Sequence, residues 1–256
     1  MEVKAQDVKK LRDKTGAGMM DCKKALVEAN GDFDKASKIL KELGLAAAAK
    51  RSSKEAIEGR IFSKVKDNVA VLLELFCETD FVSRNQDFIG LGNELVDEII
   101  SKKLTSVSSE LENKIKESQS KIKENMGLRR FNLMQAAENE ILSGYIHGEG
   151  RIGVIVKLQT DSRELSQKEE VQSFAFDCAL HAAAYNPPFL SEETVDKSYL
   201  DEQEEIFRKQ AENLGKPEKV IAGIVKGKIK KHLSEICFLN QNFVKDNKRS
   251  VGTVAS

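Results

Sequence analysis

At Gly59 the hydrophobic period of the chain changes, and that change fixes the class of fold it can adopt. Before it, apolar residues recur at helical spacing. From Val69 onward they alternate: Val69, Val71, Leu73, Leu75 and Cys77 fall on one side, and Ala70, Leu72, Glu74, Phe76 and Glu78 on the other. Successive side chains of a strand point to opposite faces, so alternation of this length predicts a β-strand. Arg60 to Lys66 precedes it, and Lys66-Asp67-Asn68 suits a tight turn, which makes a β-hairpin over about Arg60 to Glu78. Thr79-Asp80-Phe81-Val82 and then polar Ser83 to Gln86 follow as a loop. Then comes a helix with Phe88, Leu91, Leu95 and Ile99 on one stripe. Another starts near Ser108 and carries Leu111, Ile115, Ile122 and Met126 inward as far as Gly127. Leu128 to Met134 reads as a further strand.

The pattern recurs. Gly144 to His147, a Gly148-Glu149-Gly150 turn and Ile152 to Leu158 predict a second hairpin, followed by a helix over Lys168 to Tyr185 that Pro187-Pro188 stops. Ahead of both copies lie three short helices. Val8 and Leu11 share a face of the first, and Thr15 to Gly18 breaks it. Met19, Cys22, Ala25 and Leu26 line the second, which Gly31 stops. Asp32 caps the third, with Phe33, Ala36, Leu40 and Leu43 inward before Gly44. Leu45 to Glu55 reads as a linker, with a helical one left open. Beyond Ser191, Leu200, Phe207 and Leu214 suit a helical hairpin turned at Gly215-Lys216-Pro217, with Val220, Ile221, Ile224 and Val225 on the return helix. A last strand is expected near Glu235 to Leu239. The tail KDNKRSVGTVAS is too polar to build core and is expected to fray. The organisation is therefore α+β: residues 1–45 form a three-helix N-terminal domain, 46–58 a linker, and 59–140 and 141–256 the two halves of a duplicated core, with the helical hairpin at about 192–233.

Charge narrows the partners. Lys and Arg number 41 and Asp and Glu 41, so the chain lacks the basic excess of a dedicated duplex binder, and no direct nucleic-acid partner is expected. No apolar run approaches the ~20 residues that span a bilayer, and MEVKAQDVKK has no apolar signal core. The expected setting is cytoplasmic, away from membranes. Cys22, Cys77, Cys178 and Cys237 are widely spaced without a CxxC pair, which suits free buried thiols rather than zinc or redox chemistry.

The motifs for catalysis are weak. Gly148 to Gly153 spells GxGxxG, but a strand-like Val154-Ile155-Val156 follows where a dinucleotide site needs a helix, so a hairpin turn is the better reading. There is no GxxxxGK[ST]. His147, His181 and His232 sit in neither HExxH nor a nucleophile elbow, although folding could pair Cys77 with His147, and a thiol enzyme using Cys77 or Cys178 stays open. The heptad seam of Leu200, Phe207 and Leu214 reads as packing or as an arm that touches a partner. Thr79-Asp80-Phe81-Val82 is the most informative local feature, because a loop between strand and helix carries function more often than a core does. Two readings of it compete. Asp80 caps the next helix while Phe81 folds back onto it, or both face outward.

Three stretches carry a resemblance. Leu11 to Leu26 (LRDKTGAGMMDCKKAL), Glu78-Thr79-Asp80-Phe81-Val82, and His147-Gly148 with Arg151 to Val154 together resemble the signatures of the bacterial elongation factor Ts family, and the likeness covers nearly the whole chain. The resemblance implies a ubiquitin-associated-like helical head and a duplicated α+β core with antiparallel sheets and a helical hairpin. It implies a partner, elongation factor Tu, in GDP-bound and nucleotide-free forms, and nucleotide exchange without catalytic residues, cofactor or bound metal. Thr79, Asp80, Phe81 and Val82 would enter the partner's nucleotide domain and dislodge its magnesium. Leu11, Arg12, Gly16, Met19 and Met20 of the head would touch the same domain, and His147 and Gly148 would form a further interface. The chain departs from the family in Ser83-Arg84-Asn85, where Lys or Ala commonly follows the tetrad, and it ends at Ser256, where relatives usually continue past a segment like Lys248 to Val254 into a C-terminal helix. A homo-oligomer stays open. The competing reading is a non-catalytic adaptor that binds a partner through the helical head.

Overall fold

The computed structural model describes residues 3–51, 55–213 and 217–256. The chain forms two compact units, Met1–Lys157 and Leu158–Ser256, of the expected α+β class. No helix among the described residues is long and apolar enough to cross a membrane.

The first unit opens with three helices, α1 (Ala5–Thr15), α2 (Met19–Glu28) and α3 (Phe33–Arg51). Val8, Leu11, Cys22, Ala25, Leu26, Ala36 and Leu40 close around one another as their core. Gly16 adopts a left-handed φ of 68° and returns its N–H to the Arg12 carbonyl, which ends α1. The Asp32 carboxylate accepts the N–H groups of Asp34 and Lys35, each at 3.0 Å, and starts α3. The helix does not stop at Gly44. It runs on to Arg51, over the segment read as a linker, and Leu43 faces solvent. Glycine inside a helix costs about 1 kcal/mol against alanine, too little to end one that continues through Ala46 to Ala49. Gly44 serves close approach instead: a Cβ there would stand 2.8 Å from Ser120 Oγ.

Strands β1 (Glu58–Lys66), β2 (Val69–Cys77) and β3 (Met126–Gln135) form an antiparallel sheet with β2 in the middle. Glu58 pairs with Cys77 and Lys66 with Val69, and Asp67 takes a positive φ of 53° in the tight turn. The alternation of β2 sends Val69, Val71, Leu73, Leu75 and Cys77 to one face. There they pack with Phe88, Leu91, Leu95 and Ile99 of α5 (Gln86–Lys102) and with Leu111 and Ile115 of α6 (Ser109–Ile122). The last helix is shorter than its apolar pattern suggested. Lys123 turns left-handed (φ 66°), so Met126 and Gly127 open β3 instead of closing α6. A second hairpin, β4 (Glu140–His147) and β5 (Ile152–Gln159), lies on the opposite face, where Gly153 meets Ile61 and Leu72 so closely that a Cβ would overlap both side chains.

The second unit holds α7 (Arg163–Ser166), α8 (Glu169–Tyr185), the hairpin helices α9 (Lys197–Glu212) and α10 (Glu218–Ile236), a small ribbon of β6 (Asn242–Phe243) with β7 (Asp246–Ser250), and α11 (Val251–Ala255). Leu200 and Phe207 are half-buried in the hairpin, where Ile221 and Val225 are buried and Val220 is exposed. Leu214, Gly215 and Lys216, read as seam and turn, lie outside the described residues. Two expectations fail here. Glu235 to Leu239 is no strand: α10 continues to Ile236, and only Cys237 bridges to Phe189. The tail is folded: Asp246–Ser250 pairs with Asn242–Phe243, Val251 is buried, and its N–H reaches the Gln241 carbonyl at 3.0 Å. One buried apolar side chain and a short ladder anchor a segment whose average polarity argued against it.

One local geometry occurs twice along the chain. Thr79 caps a one-turn helix, α4 (Asp80–Ser83), and Ser162 caps α7 by accepting the N–H of Leu165. Ser83 and Ser166 each return a hydroxyl to the first carbonyl of their turn, at 2.8 and 2.7 Å. Then α5 and α8 follow, each of 17 residues, ended by left-handed Lys103 (φ 49°) and Asn186 (φ 44°).

Candidate functional site

The tetrad after β2 is not a plain loop but the capped turn α4. The Thr79 hydroxyl accepts the N–H of Val82 at 3.4 Å, and the Thr79 carbonyl accepts that of Ser83 at 3.3 Å. Val82 points inward and is buried against the sheet. In one turn of helix that leaves its neighbour outside, and Phe81 is 82% exposed. The alternative in which Phe81 folds back is thus excluded. Nor does Asp80 cap the following helix, because Asn85 does so by accepting the N–H of Asp87 at 2.7 Å.

The base of the turn is laced to the connection between α6 and β3. Glu124 accepts from Thr79 twice, the N–H on Oε2 at 3.1 Å and the hydroxyl on Oε1 at 2.8 Å. Reciprocally, Glu78 accepts the N–H of Asn125 at 2.5 Å. No motif announces this pairing, since its partners are far apart in sequence and each is an ordinary glutamate. Asp80 lies 3.7 Å from the Arg84 guanidinium, which also stands 3.5 Å from Glu149 in the turn of the second hairpin. Arg84 thereby brings the tetrad and the His147-Gly148 stretch into one neighbourhood. These pairs are solvent-exposed and contribute at most about 1 kcal/mol each, so they orient more than they stabilise.

His147 is exposed, with Nδ1 2.9 Å from the Tyr145 hydroxyl, and Gly148 (φ 57°) and Glu149 (φ 57°) carry the left-handed turn between β4 and β5. The GxGxxG spelling is therefore a hairpin turn. Cys77 gives its thiol hydrogen to the Thr79 carbonyl at 3.2 Å and does not pair with His147. Burial, followed by the charges of Glu124 and Glu58, pushes the Cys77 thiol up to about 12, and burial does the same for Cys178. A nucleophilic cysteine needs the opposite shift.

In the head, Arg12, Gly16, Met19 and Met20 are at the surface, and Met20 is 63% exposed at the start of α2. Leu11 is different. It is wholly buried between the three helices, so it supports that surface and cannot itself touch another molecule. The sequence grouped it with its neighbours because a continuous stretch does not reveal which side of a helix faces inward.

The described residues thus present an outward aromatic tip on a hydrogen-bonded base and an exposed thioether patch, while burial raises both Cys77 and Cys178. A family model described as elongation factor TS matches residues 78–256. Elongation factor Ts of Treponema denticola is 52% identical over 251 residues, covering 98% of this chain and 90% of that protein. Those of Borrelia recurrentis and Borreliella burgdorferi strain B31 are each 46% identical, covering 98% and 97% of this chain and 91% and 90% of theirs. Likeness of this extent defines a translation elongation factor, a protein of the protein-biosynthesis machinery. Within that class, the chain belongs to the elongation factor Ts family.

Proposed function

We propose that this chain binds elongation factor Tu carrying GDP and promotes release of the GDP and its replacement by GTP, making and breaking no covalent bond. The observation that carries the proposal is the ring of Phe81, held outward on a capped turn with little cover from its own molecule. Burying such a ring in a partner is worth about 1.5–3 kcal/mol, which favours intrusion next to the magnesium and phosphates that hold GDP. Asp80, beside it on the same turn, supplies the charge that reorganises the partner's loop. Thr79 and Val82 hold the turn. Arg12, Gly16, Met19 and Met20 dock the head on the same domain of the partner, while His147 and Gly148 form a further contact. The protein works in the cytoplasm and needs no cofactor.

Exchange of this kind is a coupling. Whatever factor the chain imposes on GDP affinity, GDP imposes on the affinity of the chain, because linkage is reciprocal. Each ~1.4 kcal/mol of coupling is tenfold, so head and tetrad must act together to produce a large acceleration. The test is release of fluorescent GDP from elongation factor Tu with the parent chain, Phe81→Ala and Asp80→Ala. Slowed release with both variants supports the wedge, and release at the parental rate with both overturns it. Tight binding by the parent without any acceleration would favour the adaptor reading.

A further inference from the structure

The turn that carries Phe81 is aimed by a residue outside it. Glu124 takes both polar hydrogens of Thr79, so the threonine side chain has one orientation in which its proton goes to the carboxylate and its lone pair receives the Val82 N–H. The first residue of the turn is thereby fixed in position and in rotamer, and the direction of α4, with Phe81 at its tip, follows. The reciprocal bond from Asn125 to Glu78 prevents the two segments from sliding past each other. Glu124 also follows directly on Lys123, whose left-handed backbone ends α6 and whose ammonium reaches Gly18 at the entrance of α2: a Cβ on Gly18 would lie 3.6 Å from it. Two adjacent residues at the end of one helix therefore touch the head and the base of the aromatic tip.

We infer that Glu124 is a positioning residue for exchange, setting the aim of Phe81 through Thr79 and in register with the head. The inference rests on the exchange reading above. Glu124 is half-buried and spends both carboxylate oxygens on Thr79. Its removal leaves the docking surfaces intact and the ring present but unaimed, so the loss falls on the rate within the complex and not on formation of the complex.

The test measures fluorescent GDP release from elongation factor Tu against concentration of the chain, giving a saturating rate and a half-saturating concentration for parent, Glu124→Ala, Glu124→Gln, Thr79→Val and the Glu124→Ala/Thr79→Val pair. Glu124→Ala should lower the saturating rate about tenfold, the worth of a charge-assisted hydrogen-bond pair, and leave the half-saturating concentration within about threefold. Glu124→Gln keeps one acceptor and should fall between, and it carries the test if the alanine variant does not fold. The double variant should be no slower than the worse single one, since both break the same contact. The inference is overturned if the glutamine and alanine variants exchange at the parental saturating rate, if the loss lies wholly in the half-saturating concentration, or if the two substitutions multiply. A parent that does not accelerate release would instead sink the exchange reading.

Discussion

The buried ring of His181 donates from Nε2 to the side-chain carbonyl of Gln241 at 2.9 Å. The tautomer follows from the other nitrogen, where Nδ1 receives the N–H of Val244 at 3.2 Å. Gln241 is held in turn by its own N–H to the Glu235 carbonyl at 2.7 Å, and Tyr185, Phe238 and Phe243 surround the imidazole. Protonating Nδ1 would break the bond to Val244 and set a charge among aromatic rings.

A pH dependence follows. Burial holds His181 below its ordinary value, against an opposing pull from the Gln241 bond. The unfolded chain, with histidine near 6.5, therefore binds the proton more readily than the folded one. This contribution to stability is whole above about pH 6.5 and is lost as pH falls through that value toward the folded one. Calorimetric melting between about pH 7.5 and pH 5 should show the transition temperature dropping on the acid side. His181→Asn, which keeps an acceptor near Nδ1 but does not titrate there, should melt lower at neutral pH and show a shallower slope. Equal slopes would remove His181 from the explanation.

Gly44→Ala should destabilise the first unit by about 1–3 kcal/mol, although alanine is the better helix former, because the added methyl would stand 2.9 Å from Ser120 Cβ. Adding Ser120→Gly should restore most of the loss, since the next nearest atom is the Ser120 Cα at 4.0 Å. Chemical denaturation of the three variants measures both effects.

Leu11→Ala and Met20→Ala should separate support from contact. The first empties the centre of the three-helix core and should cost about 2–5 kcal/mol of its stability. The second should leave stability within about 0.5 kcal/mol while weakening association with elongation factor Tu. Denaturation and binding titrations of the same two proteins distinguish the roles.

All four cysteines are buried. With Cys77 and Cys178 pushed up to about 12, a disulfide reagent at about pH 8 should modify these two only as fast as the fold opens, and stoichiometrically once denaturant is added. A rapid phase in the native protein would reveal a reactive thiol and revive the enzyme reading.

Much of this fold could be read from its residues because periodicity is a local record of burial. The alternation of β2 and the stripe of α5 each describe one face against one core, and both are found where the pattern put them. Contacts made by single residues leave no such record. Gly44 reads as a helix stop until Ser120 is seen beside it, and Val251 sits in a polar tail until Gln241 receives its N–H. At the site, Asp80 and Phe81 stood out in the sequence, but their direction did not. Asp80 reads as a fair cap for the next helix until Asn85 is seen to take that place, and Glu124, which holds Thr79 at the base of the turn, arrives from another part of the chain.

The second capped turn gives the first its meaning. At α7 a capping hydroxyl (Ser162 in place of Thr79), the serine at the end of the turn and the long helix behind all recur, yet Arg163 and Glu164 stand where α4 has Asp80 and Phe81. The mount is sound without an aromatic ring. Folding places no demand on the character of that outward position, which leaves it free to answer to whatever the tip meets beyond the molecule.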